Sequence, residues 1–297
     1  MTYILSVHIS SSVQAAVCRE DEVLCPMTFD QKTHLPHALN AVLKEAYEAY
    51  GICLGTARIA VDGIIRKNTC FSPVHVTAEE IYEQTMLQDV AFVRSSEAGI
   101  HALAAVEGYD LRHPNGQCPE SGNGPFALIL ADERLSSSYA FRDEKGSLHV
   151  MRSEQGTNET DAYLNYRGFL DIYSTVQHKL EGNDDMVHFI ASMHDEERVA
   201  AIFRYRSHSD ACERTIRRFI EYLAACAQNT ALIIQPRGGL YIWQQIEPSL
   251  NQVLKRPYFM YSYEKHPLKR EYLRHVPVRL IDDPFLILKG CYHMNVR

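Results

Sequence analysis

No run of about 18 apolar residues occurs in the 297-residue chain, so no membrane-spanning helix is expected. Basic residues are in the minority. Lys plus Arg number 30 against 37 Asp plus Glu, a formal net charge of −7. Nucleic-acid binding draws on a basic surface that neutralises phosphates, so this balance argues against such a partner. Missing too are CxxC pairs: the eight cysteines (18, 25, 53, 70, 118, 212, 226 and 291) are scattered. Scattered cysteines in a chain of this length point to buried free thiols in a reducing compartment. There is no Gly-x-x-x-x-Gly-Lys-[Ser/Thr] phosphate loop, no Gly-x-Gly-x-x-Gly fingerprint and no Gly-x-Ser-x-Gly elbow. His34 and His37 are closely spaced, but nothing completes a four-ligand set at zinc-like intervals, and no metal centre is expected. Met1–Val7 has no basic leader and no small-residue cleavage site, so the expected location is cytoplasmic.

What is present suits a globular α/β protein. The hydrophobic fraction of 46% and charged fraction of 23% supply a core without disulfide or metal staples. Tyr3–Ile9 and Gln14–Cys18 read as arms of a hairpin turning at Ser10–Ser12. A polar stretch follows, then a helical pattern over His37–Tyr50, with Leu39, Val42, Leu43 and Ala46 on one face. Ala57–Gly63 and Val90–Val93 read as strands, Glu97–Ala105 as a helix, and Thr77-Ala-Glu-Glu80 as a capping box opening another. Asp110–Gly124 is rich in Gly, Pro, Asn and Ser and reads as a linker or surface loop. A new β unit begins after it with Pro125–Ala131, Ser138–Phe141 and Leu148–Met151. An apolar stripe through Ile216, Phe219, Ile220, Leu223 and Ala227 marks a helix over Asp210–Asn229, whose Arg214, Arg217 and Arg218 form a solvated face. Ala231–Ile234, Leu240–Trp243 and Val276–Ile281 read as further strands, with Trp243 in the core. Strands alternating with helices in two blocks imply two similar halves.

Several segments, in this order, resemble the bacterial glucokinase family within the actin-like sugar-kinase superfamily. Arg237-Gly-Gly-Leu-Tyr-Ile-Trp-Gln-Gln-Ile246 resembles the family's glycine-led strand, Gly-Gly-Val-x-Ile-x-Gly-Gly-Ile. His275–Ile281 followed by Asp283–Gly290 resembles its closing strand and its Pro-Gly-Leu-Leu-Gly helix, and Thr77–Glu80 falls at a similarly capped helix. The resemblance implies a two-domain actin-like ATPase (hexokinase/glucokinase) fold with an interdomain cleft. The small domain would take residues 1–105 and a final helix in 283–297, the large one residues 106–282.

The family's functional positions carry over one by one. Its first hairpin, Asp-x-Gly-Gly-Thr-Asn, wraps nucleotide phosphates with backbone amides that no Cβ obstructs. Here His8 stands at the Asp, and Ser10 and Ser11 at the glycines, which makes the two serines the residual phosphate contacts. The catalytic strand of the family ends in Asn-Asp-Phe, where Asn orients the sugar and Asp is the general base. Arg94 and Ser95 occupy those two places, and Glu97 is the nearest displaced carboxylate. A glycine-rich phosphate hairpin corresponds to Leu130–Ser137, which has no glycine and two acids, Asp132 and Glu133. Of the sugar-binding Glu-Gly-Gly-His, Glu154 and Gly156 remain. The helical excursion after it is shortened to Glu159–Arg167. Gly238 and Gly239 keep the glycine pair before the adenine pocket, whereas the second pair is Gln244-Gln245.

Losses at the chemical positions beside a retained scaffold imply a pseudokinase with a binding, regulatory or assembly role. The alternative is an active ATP-dependent hexose kinase using Glu97 or Glu154 as base, with ATP and Mg required only in that case. A hexose in the cleft is the expected ligand, and a homodimer or another protein the expected partner. Aromatic and Arg residues at Phe203–Arg206 and Tyr258–Tyr263 supply interface-type surface, or else cap the large domain's own core. Tyr258, Tyr261 and Tyr263 also fit a half-buried hairpin. An unrelated α/β protein would lack a strand order repeated between the halves.

Overall fold

The computed structural model describes residues 2–105, 111–112, 124–153, 161–180 and 185–294. The chain divides into two units, Met1–Tyr109 with Asp283–Arg297, and Asp110–Asp282.

In the first unit, β1 (Ile4–Ile9) and β2 (Ser12–Arg19) form the expected hairpin, and β3 (Glu22–Asp30) extends it at the edge. β3 falls in the stretch read as merely polar. It is an edge strand whose residues alternate between partly covered and exposed, so it lacks the apolar run that flags a central strand. Pro36 lies in the first turn of helix α1 (Leu35–Tyr50), and Gly51 caps its end at φ 67°. β4 (Thr56–Val61) returns parallel to β1. Three two-residue strands, β5 (Ile65–Arg66), β6 (Thr69–Cys70) and β7 (Val76–Thr77), make a small antiparallel sheet. The capping box is present at helix α2 (Ala78–Gln84): Glu80 N donates to Thr77 Oγ1 at 3.1 Å, and Thr77 N to Glu80 Oε2 at 3.3 Å. β8 (Asp89–Arg94) pairs parallel with β4 and runs directly into α3 (Ser95–Ala105). The sheet order is β3-β2-β1-β4-β8.

The second unit repeats the plan. Its sheet runs β12 (Leu148–Ser153), β11 (Leu135–Arg142), β10 (Phe126–Ala131), β13 (Gly239–Gln244), β14 (Val278–Ile281), with the short β9 (Leu111–Arg112) added at the edge. In both sheets two antiparallel pairings lead into a central strand, and two parallel pairings follow. That repetition separates this chain from an unrelated α/β protein. One face of the second sheet, through Ile129, Leu240 and Leu280, packs in the main core with Phe169 of α4 (Tyr166–Lys179) and Phe219 of α7 (Asp210–Ile234). Between those helices lie α5 (Asp185–Ala191) and α6 (Asp195–Arg204). After β13 come α8 (Pro248–Leu254), α9 (Pro257–Glu264) and α10 (Arg270–His275).

Two sequence expectations are corrected here. Ala231–Ile234 is the last turn of α7, not a strand. No Gly or Pro interrupts the helix there, Ala231 extends the buried stripe one turn beyond Ala227, and Gln235 stops it in the left-handed region at φ 51°. The Tyr258–Tyr263 cluster lies on helix α9, begun by Pro257, rather than on a hairpin, and its spacing turns Phe259 and Tyr263 inward. Phe203, Phe259, Met260 and Tyr263 are all buried in the unit's own core, while Tyr261 is exposed.

The chain then returns to the first unit as α11 (Leu286–His293), whose Leu288 and Tyr292 cover Ile4, Ala16 and Cys18 on one face of β1 and β2. The opposite face of β1, through Leu5, Val7 and Ile9, packs with Leu39 and Val42 of α1. Strand β1 is therefore buried on both sides. Among the described residues no helix is long and apolar enough to cross a membrane.

Candidate functional site

Open α/β sheets hold ligands at the carboxyl ends of their parallel strands. In the first unit those ends lie in one row: Ile9, Val61 and Arg94 sit side by side in register on β1, β4 and β8. The next residues along are Ser10, Asp62 and Ser95, on strands spaced about 4.8 Å apart. Most of the candidate residues of this unit thus gather at one end of its sheet.

Each is held differently. Ser10 is buried; its amide donates to Ser12 O at 2.9 Å, and its carbonyl accepts from the Gln31 side chain. Ser11 is exposed at the tip of the turn. His8, buried on β1, places Nε2 3.6 Å from Oδ2 of Asp62, itself nearly covered. Asp62 did not stand out in the sequence, where Val-Asp-Gly read only as a strand end; an acid directly after an apolar run was the available signal. Gly63 beside it admits no side chain, because a Cβ would lie 1.6 Å from the carbonyl oxygen of Ser72. Arg94 donates from Nη1 to Gly63 O at 3.4 Å.

Ser95 is the first residue of α3 and is 1% exposed. Its Oγ has no hydrogen-bond partner among the described residues. Glu97, half-buried, occupies the first turn of the same helix, where the dipole favours an acid. An uncharged serine hydroxyl is not itself a general base at neutral pH and carries no negative charge.

The second unit presents the corresponding strand ends at Ala131 and Gln244, paired on β10 and β13. Asp132 is buried at the β10–β11 turn, with Glu133 and Arg134 exposed beside it. Acidic groups at this turn oppose a polyphosphate. Gln244 is buried and fully used. Its Nε2 donates to Glu247 O at 2.9 Å and Asn251 Oδ1 at 3.0 Å, and its Oε1 accepts from the amides of Ile246 at 2.9 Å and Glu247 at 3.1 Å. Asn251 continues the network to Asp282 at 2.9 Å, and Lys255 reaches the other Asp282 oxygen at 3.1 Å. A side chain therefore builds the turn after β13, at the place where the resemblance has glycines.

Gly238 and Gly239 lie at the opposite, N-terminal end of β13. Their amides donate to Pro125 O at 2.8 Å and Pro236 O at 3.0 Å. A Cβ on Gly238 would stand 2.7 Å from Gly124 O, and Gly239 has φ 113°, so both positions need glycine for the backbone path. On the neighbouring strand Arg279 is buried, and its guanidinium lies 5.9 Å from the centre of the Tyr241 ring. Glu154 and Gly156 fall outside the described residues.

A family model for glucokinase matches residues 139–296. A glucokinase of Caulobacter sp. (strain K31) is 31% identical over 81 residues, 27% of this chain and 25% of that protein. One from Nostoc punctiforme is 35% identical over 78 residues, 26% of this chain and 23% of that protein. These matches span about a quarter of the curated relatives' length. Among solved structures, a glucokinase from an Antarctic psychrotroph superposes with a TM-score of 0.74 at 17% identity, covering 99% of this chain and 98% of that one. The glucokinase of Balamuthia mandrillaris in complex with glucose gives 0.76 at 14%, covering 98% and 93%. A ROK family transcriptional regulator, a homologue of the Escherichia coli MLC protein, gives 0.64 at 13%, covering 98% and 78%. At such identities the likeness shows the fold, which is the actin-like sugar-kinase fold expected from the sequence. With more than half of its residues matched by the family model, the chain belongs to the glucokinase family.

Proposed function

We infer that this member of the family is a pseudokinase that keeps the scaffold for binding and regulation rather than phosphoryl transfer. Ser95 carries the reading: at the position the resemblance assigns to the catalytic Asp stands a buried hydroxyl without a hydrogen-bond partner among the described residues. Phosphoryl transfer rests on positioning and charge stabilisation, and loss of the base together with the phosphate-cradling glycines removes both. The occupied turn at Gln244 supports the same reading for the nucleotide. A ROK family transcriptional regulator with this fold supports the regulatory side of the reading.

The proposed ligand is a hexose at the strand ends, with Arg94, Glu154 and Gly156 as contacts. The proposed compartment is the cytoplasm, in keeping with seven free cysteines among the described residues. A coupled assay with glucose and magnesium-ATP tests the reading. No turnover, and no change of melting temperature with magnesium-ATP, is expected; a shift of several degrees would overturn it. Self-association through the second unit belongs to the same proposal, and a light-scattering mass near 33.9 kDa would remove it.

One observation favours the alternative of a working hexose kinase: Glu97 lies only two residues beyond Ser95, in the first turn of α3. In that case glucose phosphorylation is measurable and Glu97→Gln abolishes it.

A further inference from the structure

Away from the strand ends, three arginines from separate segments converge on one concavity of the second unit. Arg206 follows α6, Arg217 projects from α7, and Arg256 immediately precedes α9. They surround a pocket of about 230 Å³ that Ile216, Ile220 and Val253 also line. The neighbouring arginines of α7 are neutralised, Arg214 by Asp210 at 2.7 Å and Arg218 by Glu221 at 3.4 Å. Among the described residues, by contrast, no carboxylate forms an ion pair with Arg206, Arg217 or Arg256.

Among the described residues Glu213 is the one acid lining the pocket, which leaves a formal lining charge of about +2. The aromatic wall is fixed in place. Tyr258 donates its hydroxyl to the Glu221 carboxylate, and the guanidinium of Arg217 lies 5.0 Å from the centre of its ring. In a chain of net charge −7, three guanidiniums offset by a single carboxylate at one apolar-floored pocket favour an anion. Guanidinium forks match the oxygens of a phosphate group, whose charge near −2 balances the lining. The isoleucine and valine floor suits the C–H face of a small ring rather than a bare ion.

We propose that this pocket binds a small phosphate monoester, a phosphorylated monosaccharide, separately from any ligand at the strand ends. The site does not depend on whether the chain is an active kinase, because none of its residues comes from the strand ends.

Isothermal titration of the full chain with glucose 6-phosphate, glucose and inorganic phosphate tests the proposal. Glucose 6-phosphate is expected to bind one per chain, more tightly than inorganic phosphate, and to weaken as salt rises. Arg217→Gln and Arg256→Gln should each lower its affinity about tenfold, the worth of a charge-assisted hydrogen bond. Arg217→Lys, which keeps the charge but loses the fork, should fall between. Arg206, Arg217 and Arg256 are half-buried or exposed, so the melting temperatures of the unliganded variants should match the parent. Failure of glucose 6-phosphate to bind at millimolar concentration overturns the proposal, as does unchanged affinity in the Arg206→Gln/Arg256→Gln double variant. Equal affinity for inorganic phosphate overturns the assignment to a phosphorylated sugar.

Discussion

Gly290 of α11 crosses α3 so closely at Ala98 that a Cβ on the glycine would stand 1.9 Å from the Ala98 carbonyl oxygen. The obstacle is helix backbone, which cannot rotate aside, so Gly290→Ala must push the two helices apart. The expected cost is about 3 kcal/mol, at the upper end for overpacking. Gly55, with nothing within 4 Å of an added Cβ, is the control. Gly55→Ala should change stability by less than about 1 kcal/mol. Urea unfolding of both variants checks the contrast.

Gln244 offers a test of the network that fills the turn after β13. Gln244→Glu keeps the size and the two accepted amide bonds but loses the donors to Glu247 O and Asn251 Oδ1. A carboxylate facing those two oxygens should destabilise the chain by about 2 kcal/mol. Gln244→Gly should cost at least as much. Under the proposed function it should still leave magnesium-ATP without effect on the melting temperature.

Ser95 should behave unlike a hydrogen-bonded buried serine. Its hydroxyl is desolvated without a partner, so Ser95→Ala should leave stability within about 0.5 kcal/mol of the parent, or raise it. A loss above about 1.5 kcal/mol in chemical denaturation would mean that the hydroxyl has a partner after all.

Stability should also fall in mild acid through His293. Burial holds its imidazole below the usual range, against the pull of Asp21 and Glu20, while Lys289 pushes the same way as burial. The unfolded chain takes up a proton near pH 6.5, whereas the folded chain resists it. The contribution is therefore present above about pH 6.5 and is lost as pH falls from there through the folded value. Urea midpoints between pH 7.5 and 5.5 should decline, and His293→Asn should flatten part of that decline.

Much of the scaffold was legible because its signals are local. Thr77 and Glu80 announce their helix three residues apart, and the stripe from Ile216 to Ala227 repeats at the helical period. β3 escaped because an edge strand with one exposed face needs few apolar residues, and Ala231–Ile234 misled because a short apolar run fits strand and helix alike. The site was legible only as substitutions: Ser95 and Gln244 could be placed by resemblance, but not the empty hydrogen-bonding shell of the one or the four bonds of the other. Asp62 beside His8 and the arginine pocket depend on residues 54 and 50 positions apart (His8 to Asp62, Arg206 to Arg256), a juxtaposition that only the folded chain displays.

The return of α11 sets an order on biosynthesis. Ile4, Ala16 and Cys18 leave the ribosome about 270 residues before Leu288 and Tyr292, which cover them. Throughout synthesis of the second unit the first sheet has an apolar face without its lid, while everything needed for the second sheet has already emerged before α11 does. The nascent chain should therefore depend on chaperone capture of its first-unit strands, and ribosome stalling just before residue 286 should release a product whose first sheet, with its apolar face open, is aggregation-prone even where the second unit has folded.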